Sequence, residues 1–136
     1  MNDCLFCKII KGEIPASKVY EDENVLAFLD IHPVNSGHTL IVPKKHSEGL
    51  LDADDEVLSQ MVVVTKKVAA AILRSLGYEA FNLEQNNGPI AGQVIPHLHW
   101  HIVPRRADDG LKHWPGKEYG EGEANDVAVK IRSEIK

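Results

Sequence analysis

The sequence predicts an α+β fold: an antiparallel sheet of about five strands, two main helices on one face, and a further helix at the C-terminus. Three observations carry this expectation. Short apolar runs bounded by turn formers recur along the chain, one long stripe of helical period interrupts them, and a second such stripe ends it. At 136 residues, with 43% apolar and 26% charged, the chain suits one hydrophobic core. We read 1–136 as one domain, with its core over about 4–104 and a C-terminal extension over 105–136.

Asp3 can cap a short helix over roughly Cys4 to Lys11, whose Leu5, Phe6, Ile9 and Ile10 fall at helical spacing before Gly12. Beyond Pro15, Lys18–Glu21 and Val25–Leu29 read as two strands joined by a polar turn, and His38 to Val42 as a third after the loop His32-Pro-Val-Asn-Ser-Gly37. From Asp54 or Asp55 to Leu76 one apolar face recurs at helical period, closed by Gly77. Ala80 to Glu84 is a fourth strand, and a Gly- and Asn-rich loop leads to a fifth from His97 to Val103. Residues 108–122 look irregular. The tail from Ala124 carries Val127, Ala128, Ile131 and Ile135 on one helical stripe.

Twenty acidic against fifteen basic residues, a net charge of −5, argue against gripping long nucleic acid but leave room for a single nucleotide. No stretch has the length to cross a bilayer. The run Cys4–Ile10 is too short, and too interrupted by Lys8, for a signal peptide, so a cytoplasmic location is expected. In that compartment the pair Cys4-x-x-Cys7 points to metal ligation or redox chemistry rather than a structural disulfide, with a pair of free buried thiols as the plain alternative.

The most informative segment is Pro96-His97-Leu98-His99-Trp100-His101-Ile102-Val103-Pro104. In a strand, His97, His99 and His101 share one face while Leu98, Trp100 and Ile102 enter the core from the other. Three imidazoles in a row are poor packing, and the alternatives are a solvated strand face or a chance cluster among seven histidines. Two chemistries want such a row: a catalytic zinc with three histidines and a water, or a neutral imidazole attacking phosphorus beside positioning and protonating neighbours.

This His-φ-His-φ-His-φ-φ run, with φ apolar, resembles the signature of the histidine triad (HIT) family of nucleotide hydrolases and transferases. Phe6-Cys-Lys-Ile-Ile10 followed by Gly12-Glu-Ile-Pro15, then Leu26–Asp30, then Gly37–His46 resemble family segments in the same order, and Trp114-Pro115 resembles a C-terminal element of the nucleoside phosphoramidase branch. The resemblance implies a covalent nucleotidyl-histidine intermediate on His99. It assigns His101 to the phosphate and leaving group, His38 to a supporting catalytic role, and the main-chain carbonyl of His97 to holding the His99 ring in one tautomer. Asp30 matches the carboxylate that binds the ribose hydroxyls. Leu5, Phe6, Phe28, Leu29 and Ile31 match an apolar slot for the base, although taken singly buried residues of these types are more often plain core. Asn86 and Gln93 match polar residues around the ribose and phosphate. Val94 departs from the pattern, standing where a serine or threonine often donates to the phosphate. Metal-containing members use the first triad histidine as a ligand, so Cys4, Cys7, His46 and His97 are expected to form a closed, structural zinc site.

The resemblance therefore implies a hydrolase or transferase acting on the α-phosphate of a purine nucleoside phosphoramidate or AMP conjugate. Alternatives are a dinucleoside polyphosphate hydrolase and a nucleotide-binding interaction module with little turnover; a triad-based metallohydrolase lacks nearby acidic ligands. The family also implies a homodimer. Val62-Val63-Val64 cannot all face one sheet, since successive helical residues point about 100° apart, so a second surface needs covering, by a twofold partner or by the C-terminal helix folding back.

Overall fold

The computed structural model describes residues 3–136. Five strands form one sheet: β1 (Lys18–Glu21), β2 (Val25–Leu29), β3 (Thr39–Pro43), β4 (Ala80–Gln85) and β5 (Trp100–Arg105). Their order is β1-β2-β3-β5-β4, with every neighbouring pair antiparallel. The helices are α1 (Leu5–Ile10), α2 (Asp55–Leu76) and α3 (Glu123–Glu134).

The cap of α1 differs from the expected Asp3. Cys4 occupies the N-cap, and its Sγ accepts from the Cys7 amide at 3.4 Å. Helix α2 matches its expected span. Asp55 and Glu56 sit in its first turn, where acidic groups oppose the helix dipole, and Gly77 ends it at φ 74° with its amide on Leu73 O.

Helices α1 and α2 do not share a face. The central strands are apolar on both sides and so need covering on both. Val25, Ala27, Ile41, Leu98, Trp100 and Ile102 pack with Met61, Val64, Val68 and Ile72 of α2. On the other face Leu26, Phe28, Leu40 and Val42 pack with Phe6 and Ile9 of α1. Trp100 secures the first layer, because its indole N–H donates to Thr65 Oγ1 at 2.6 Å and leaves no unpaired polar atom there. That bond sends His99 and His101, its chain neighbours, toward the α1 side.

Two strands start later than expected. The bonded part of β3 begins at Thr39, and β5 begins at Trp100 instead of His97. The amide of Leu98 is committed elsewhere, donating to Ser47 O at 2.7 Å. Helix α3 forms, but none of its residues is buried, and Val62, Val63, Phe81 and Leu83 remain 40–56% exposed. The C-terminal helix therefore does not cover them within the chain. Among the described residues no helix is long and apolar enough to cross a membrane.

Candidate active site

The α1 face carries an open cavity of about 830 Å³, lined by His38, His99 and His101 and by apolar side chains of α1 and β2. This volume suits a small-molecule ligand.

The three triad rings have three different surroundings and do not form an exposed row. His97 is fully buried and His99 is 8% exposed. His99 Nδ1 lies 2.8 Å from the main-chain oxygen of His97. A carbonyl only accepts, so Nδ1 carries the proton and the neutral ring keeps its lone pair on Nε2. Burial holds the His99 pKa below the usual histidine value and favours this neutral form. Phe6 meets the ring edge-to-face at 5.0 Å, fixing its plane.

His101 is set by a longer chain. The Val34 amide donates to His38 Nδ1 at 3.1 Å, so His38 carries its proton on Nε2. That N–H points at His101 Nδ1, 2.8 Å away, and leaves His101 with its own proton on Nε2. Burial, then repulsion from His99 and His38, pushes the His101 pKa down to about 4. Burial likewise lowers His38, opposed by Asp30 and Glu84. With the His99 and His101 ring centroids 5.1 Å apart, the site presents one bare nitrogen beside one N–H.

Asp30 lines the cavity. One carboxylate oxygen accepts from the His32 amide at 2.8 Å and the other is 3.6 Å from His38 Nε2. Leu5, Phe6, Phe28, Leu29, Ile31 and Asn86 also line it. Phe6 and Phe28 are 4% and 3% exposed and stack edge-to-face at 5.5 Å, so they serve core and cavity together, whereas Ile31 is an exposed rim residue. Gln93 is not in the lining. Its Oε1 accepts from Gly88 N at 2.8 Å while its Nε2 donates to Glu48 O and Ile95 O at 2.6 and 3.0 Å, which ties down the loop. Val94 lines the cavity and is 85% exposed, without a side-chain donor.

Sequence reasoning missed Val34, which acts through its amide and has no side-chain signature. It also missed Glu84 and Arg105 in the lining, although pairing β4 with β5 would place Glu84 opposite His101.

A second cluster lies behind the triad. Cys4 Sγ is 3.3 Å and Cys7 Sγ 3.6 Å from His97 Nδ1, while His46 Nδ1 is 3.4 Å from Cys7 Sγ and 3.1 Å from His97 Nδ1. His97 Nε2 donates to Pro43 O at 2.9 Å, so Nδ1 offers a lone pair into the cluster. A tetrahedral zinc with Zn–S of about 2.3 Å and Zn–N of about 2.0–2.1 Å has ligand–ligand edges of roughly 3.3–3.8 Å, so this donor set fits one. Burial and the neighbouring Cys4 raise the Cys7 thiol pKa, an opposition that a dication would reverse. The nitrogens of the triad point three ways, toward this cluster, a carbonyl and His38, and do not converge on one ion. Asp30, His38 and His101 also approach one another, but their facing nitrogens already share a hydrogen bond.

Comparison with known proteins agrees with this architecture. The model of the HIT domain family matches residues 11–108. The adenosine 5'-monophosphoramidase hnt1 of Schizosaccharomyces pombe is 41% identical over 135 residues, covering 98% of each chain. A crystal structure of a HIT family member from Bacillus subtilis superposes with a TM-score of 0.92 at 40% identity, over 98% of both chains. A Zn-bound histidine triad family protein from Mycobacterium smegmatis gives 0.78 at 35% identity, over 98% of this chain and 99% of that one. With its fold, its triad and nearly three quarters of its length matched, this chain belongs to the HIT domain family.

Proposed function

We propose that this protein is a nucleotidyl hydrolase or transferase that cleaves purine nucleoside phosphoramidates or related AMP conjugates. The observation that carries the reading is the pair of tautomers: His99 with a bare Nε2 and His101 with a protonated Nε2, side by side in one cavity. His99 Nε2 attacks the α-phosphorus, forming an N–P bond as the bond to the leaving amine breaks. The proton on His101 Nε2 passes to the departing nitrogen. His101 then takes a proton from water, which attacks the same phosphorus and releases the nucleoside monophosphate and free His99. Asp30 binds the ribose hydroxyls, with Phe6 and Phe28 around the base. Asn86 approaches the ribose and phosphate; Gln93 acts on them only through the loop it ties.

Cys4, Cys7, His46 and His97 would hold a structural zinc. With four protein ligands, the ion would have no position for substrate and would supply cross-linking of α1 to the triad segment. The relative from Mycobacterium smegmatis, described as Zn-bound, supports this reading. We further propose a homodimer that covers Val62, Val63, Phe81 and Leu83, and a cytoplasmic location.

Rapid quench into cold alkaline denaturant, in which a histidine N–P bond survives, of the protein mixed with an AMP–alkylamine conjugate tests the mechanism. Intact mass should show one nucleoside monophosphate added, localised to His99. Turnover with no adduct under conditions where the second step is slowed would refute the covalent route.

A further inference from the structure

The cavity continues past His101 over the paired strands β4 and β5, where Asn82, Glu84, Val103 and Arg105 line it. Register opposes Glu84 to His101 and Asn82 to Val103, so both β4 side chains stand on the histidine face. Arg105 lies beyond them, but its charge is already matched. Its Nε and Nη2 donate to Asp109 at 2.7 and 3.0 Å, and Nη1 donates to Asn82 Oδ1 at 2.7 Å. Glu84 also lines the cavity, and among the described residues its carboxylate accepts no hydrogen bond and enters no ion pair. Its field reaches both flanks, raising the His38 pKa against burial and contributing to the raised Arg105 value. Lys112, exposed on the rim, also enters no ion pair among the described residues.

A proton donor must touch the atom it protonates, so the body of the leaving group lies around His101. The base end of the nucleotide fills the Phe6–Phe28 slot, and the remaining wall near His101 is the one that carries Glu84. We propose that Glu84 is a specificity determinant of the leaving-group side, favouring amines that bear a second, cationic nitrogen and disfavouring anionic leaving groups such as polyphosphates. This rests on the nucleotidyl-transfer reading above. A carboxylate beside the leaving group attracts an ammonium and repels a phosphate chain, whatever the base at the other end.

The test uses three adenosine 5'-phosphoramidates of similar size, made from 1,2-diaminoethane (cationic), propylamine (neutral) and β-alanine (anionic). Each is assayed at low ionic strength with wild type, Glu84→Gln and Glu84→Lys. Dividing kcat/KM by that of the neutral conjugate cancels any effect of Glu84 transmitted through His38 or His101. The cationic-to-neutral ratio should fall about three- to fivefold in Glu84→Gln, as expected for a partly exposed ion pair. In Glu84→Lys it should fall further, and the anionic conjugate should become the better substrate. Ratios unchanged across the three proteins overturn the proposal, as does a wild-type preference for the anionic conjugate, which would make Lys112 the dominant charge. If wild type turns over none of the conjugates, the function reading fails by itself. Dissociation constants of the same three compounds then report the charge preference, and absence of binding overturns both.

Discussion

Removing the His38 imidazole probes the proton relay directly. In the intact site, His38 Nε2–H is held 2.8 Å from His101 Nδ1, which keeps the His101 proton on Nε2, the nitrogen proposed to serve the leaving group. In His38→Ala, His101 is free to move its proton to Nδ1 and leave Nε2 bare. One hydrogen bond is worth about 0.5–1.5 kcal/mol net, so the competent tautomer should be depleted up to roughly tenfold. His101→Ala removes the acid altogether and should cost about 10²–10⁴. The assay compares two AMP conjugates, one with an alkylamine that must be protonated to leave and one with a nitrophenolate that need not be. kcat for the amine should fall by up to about tenfold in His38→Ala, with the nitrophenyl ester close to wild type. His38→Gln, which can both accept from Val34 and donate to His101, should recover part of the loss. Because His38 is 4% exposed, its removal also strands buried polar atoms at about 1–3 kcal/mol, so Tm must be measured in parallel. Equal losses on both conjugates, in protein that remains folded, would refute the relay and leave His38 a structural role only.

Four other outcomes are expected. His99→Ala should lose several orders of magnitude in turnover while Tm and nucleotide Kd stay near wild type; appreciable residual turnover in the purified variant would sink the nucleophile assignment. Protein purified without added metal should contain one zinc per chain by elemental analysis, and stripping it should lower Tm, since a closed site contributes to folding. Acid should destabilise the fold through His101. Its folded pKa of about 4 lies below the unfolded value near 6.5, so the unfolded chain binds more protons between them. Stability from this group is therefore fully present above pH 6.5 and lost as pH falls toward 4, and His101→Gln should flatten that part of the Tm–pH curve. Light scattering at micromolar concentration should give a dimer mass, and Val62→Asp with Leu83→Asp should reduce it to a monomer; a monomeric wild type with full activity would contradict the interface.

Legibility in the sequence followed how local the governing interactions are. Helix α2 was readable to its ends because its stripe, its acidic first turn and Gly77 all act within a few residues. The strands were readable too, to within a few residues. The side of the sheet that α1 covers was not, because it depends on β2 and β3 being apolar on both faces, and a five-residue run fits either helix placement. Strand alternation alone put His99 and His101 on one face, whereas Asp30 and His38 were visible only as matches to a family pattern. Gln93 shows the limit of such matching: its residue type transferred, but its side chain closes the loop onto Glu48 and stays out of the cavity. Val34 left no trace, since any residue but proline supplies its amide.

The strict two-residue spacing of the histidines acquires a physical reason once their partners are known. His97 acts at two atoms. Its ring faces Cys4, Cys7 and His46, and its carbonyl holds the next histidine of the triad. Ring and carbonyl belong to one residue, so a held ring restrains the stretch of backbone that aims the His99 lone pair. The same cluster anchors α1 through Cys4 and Cys7, and Phe6, lying between them in the chain, closes on the His99 ring at 5.0 Å. Two rigid paths thus run from one cluster to one imidazole, the first through backbone and the second through an aromatic edge. The in-line displacement proposed for His99 depends on such positioning of the attacking nitrogen. In the proposed mechanism His101 needs a different device, because it gives up a proton and then regains one. Its partner is accordingly another imidazole, His38, whose own proton is fixed by a backbone amide. The first histidine is immobilised by its cluster, the second by a carbonyl, and the third is poised by a neighbour that can respond when it gains charge.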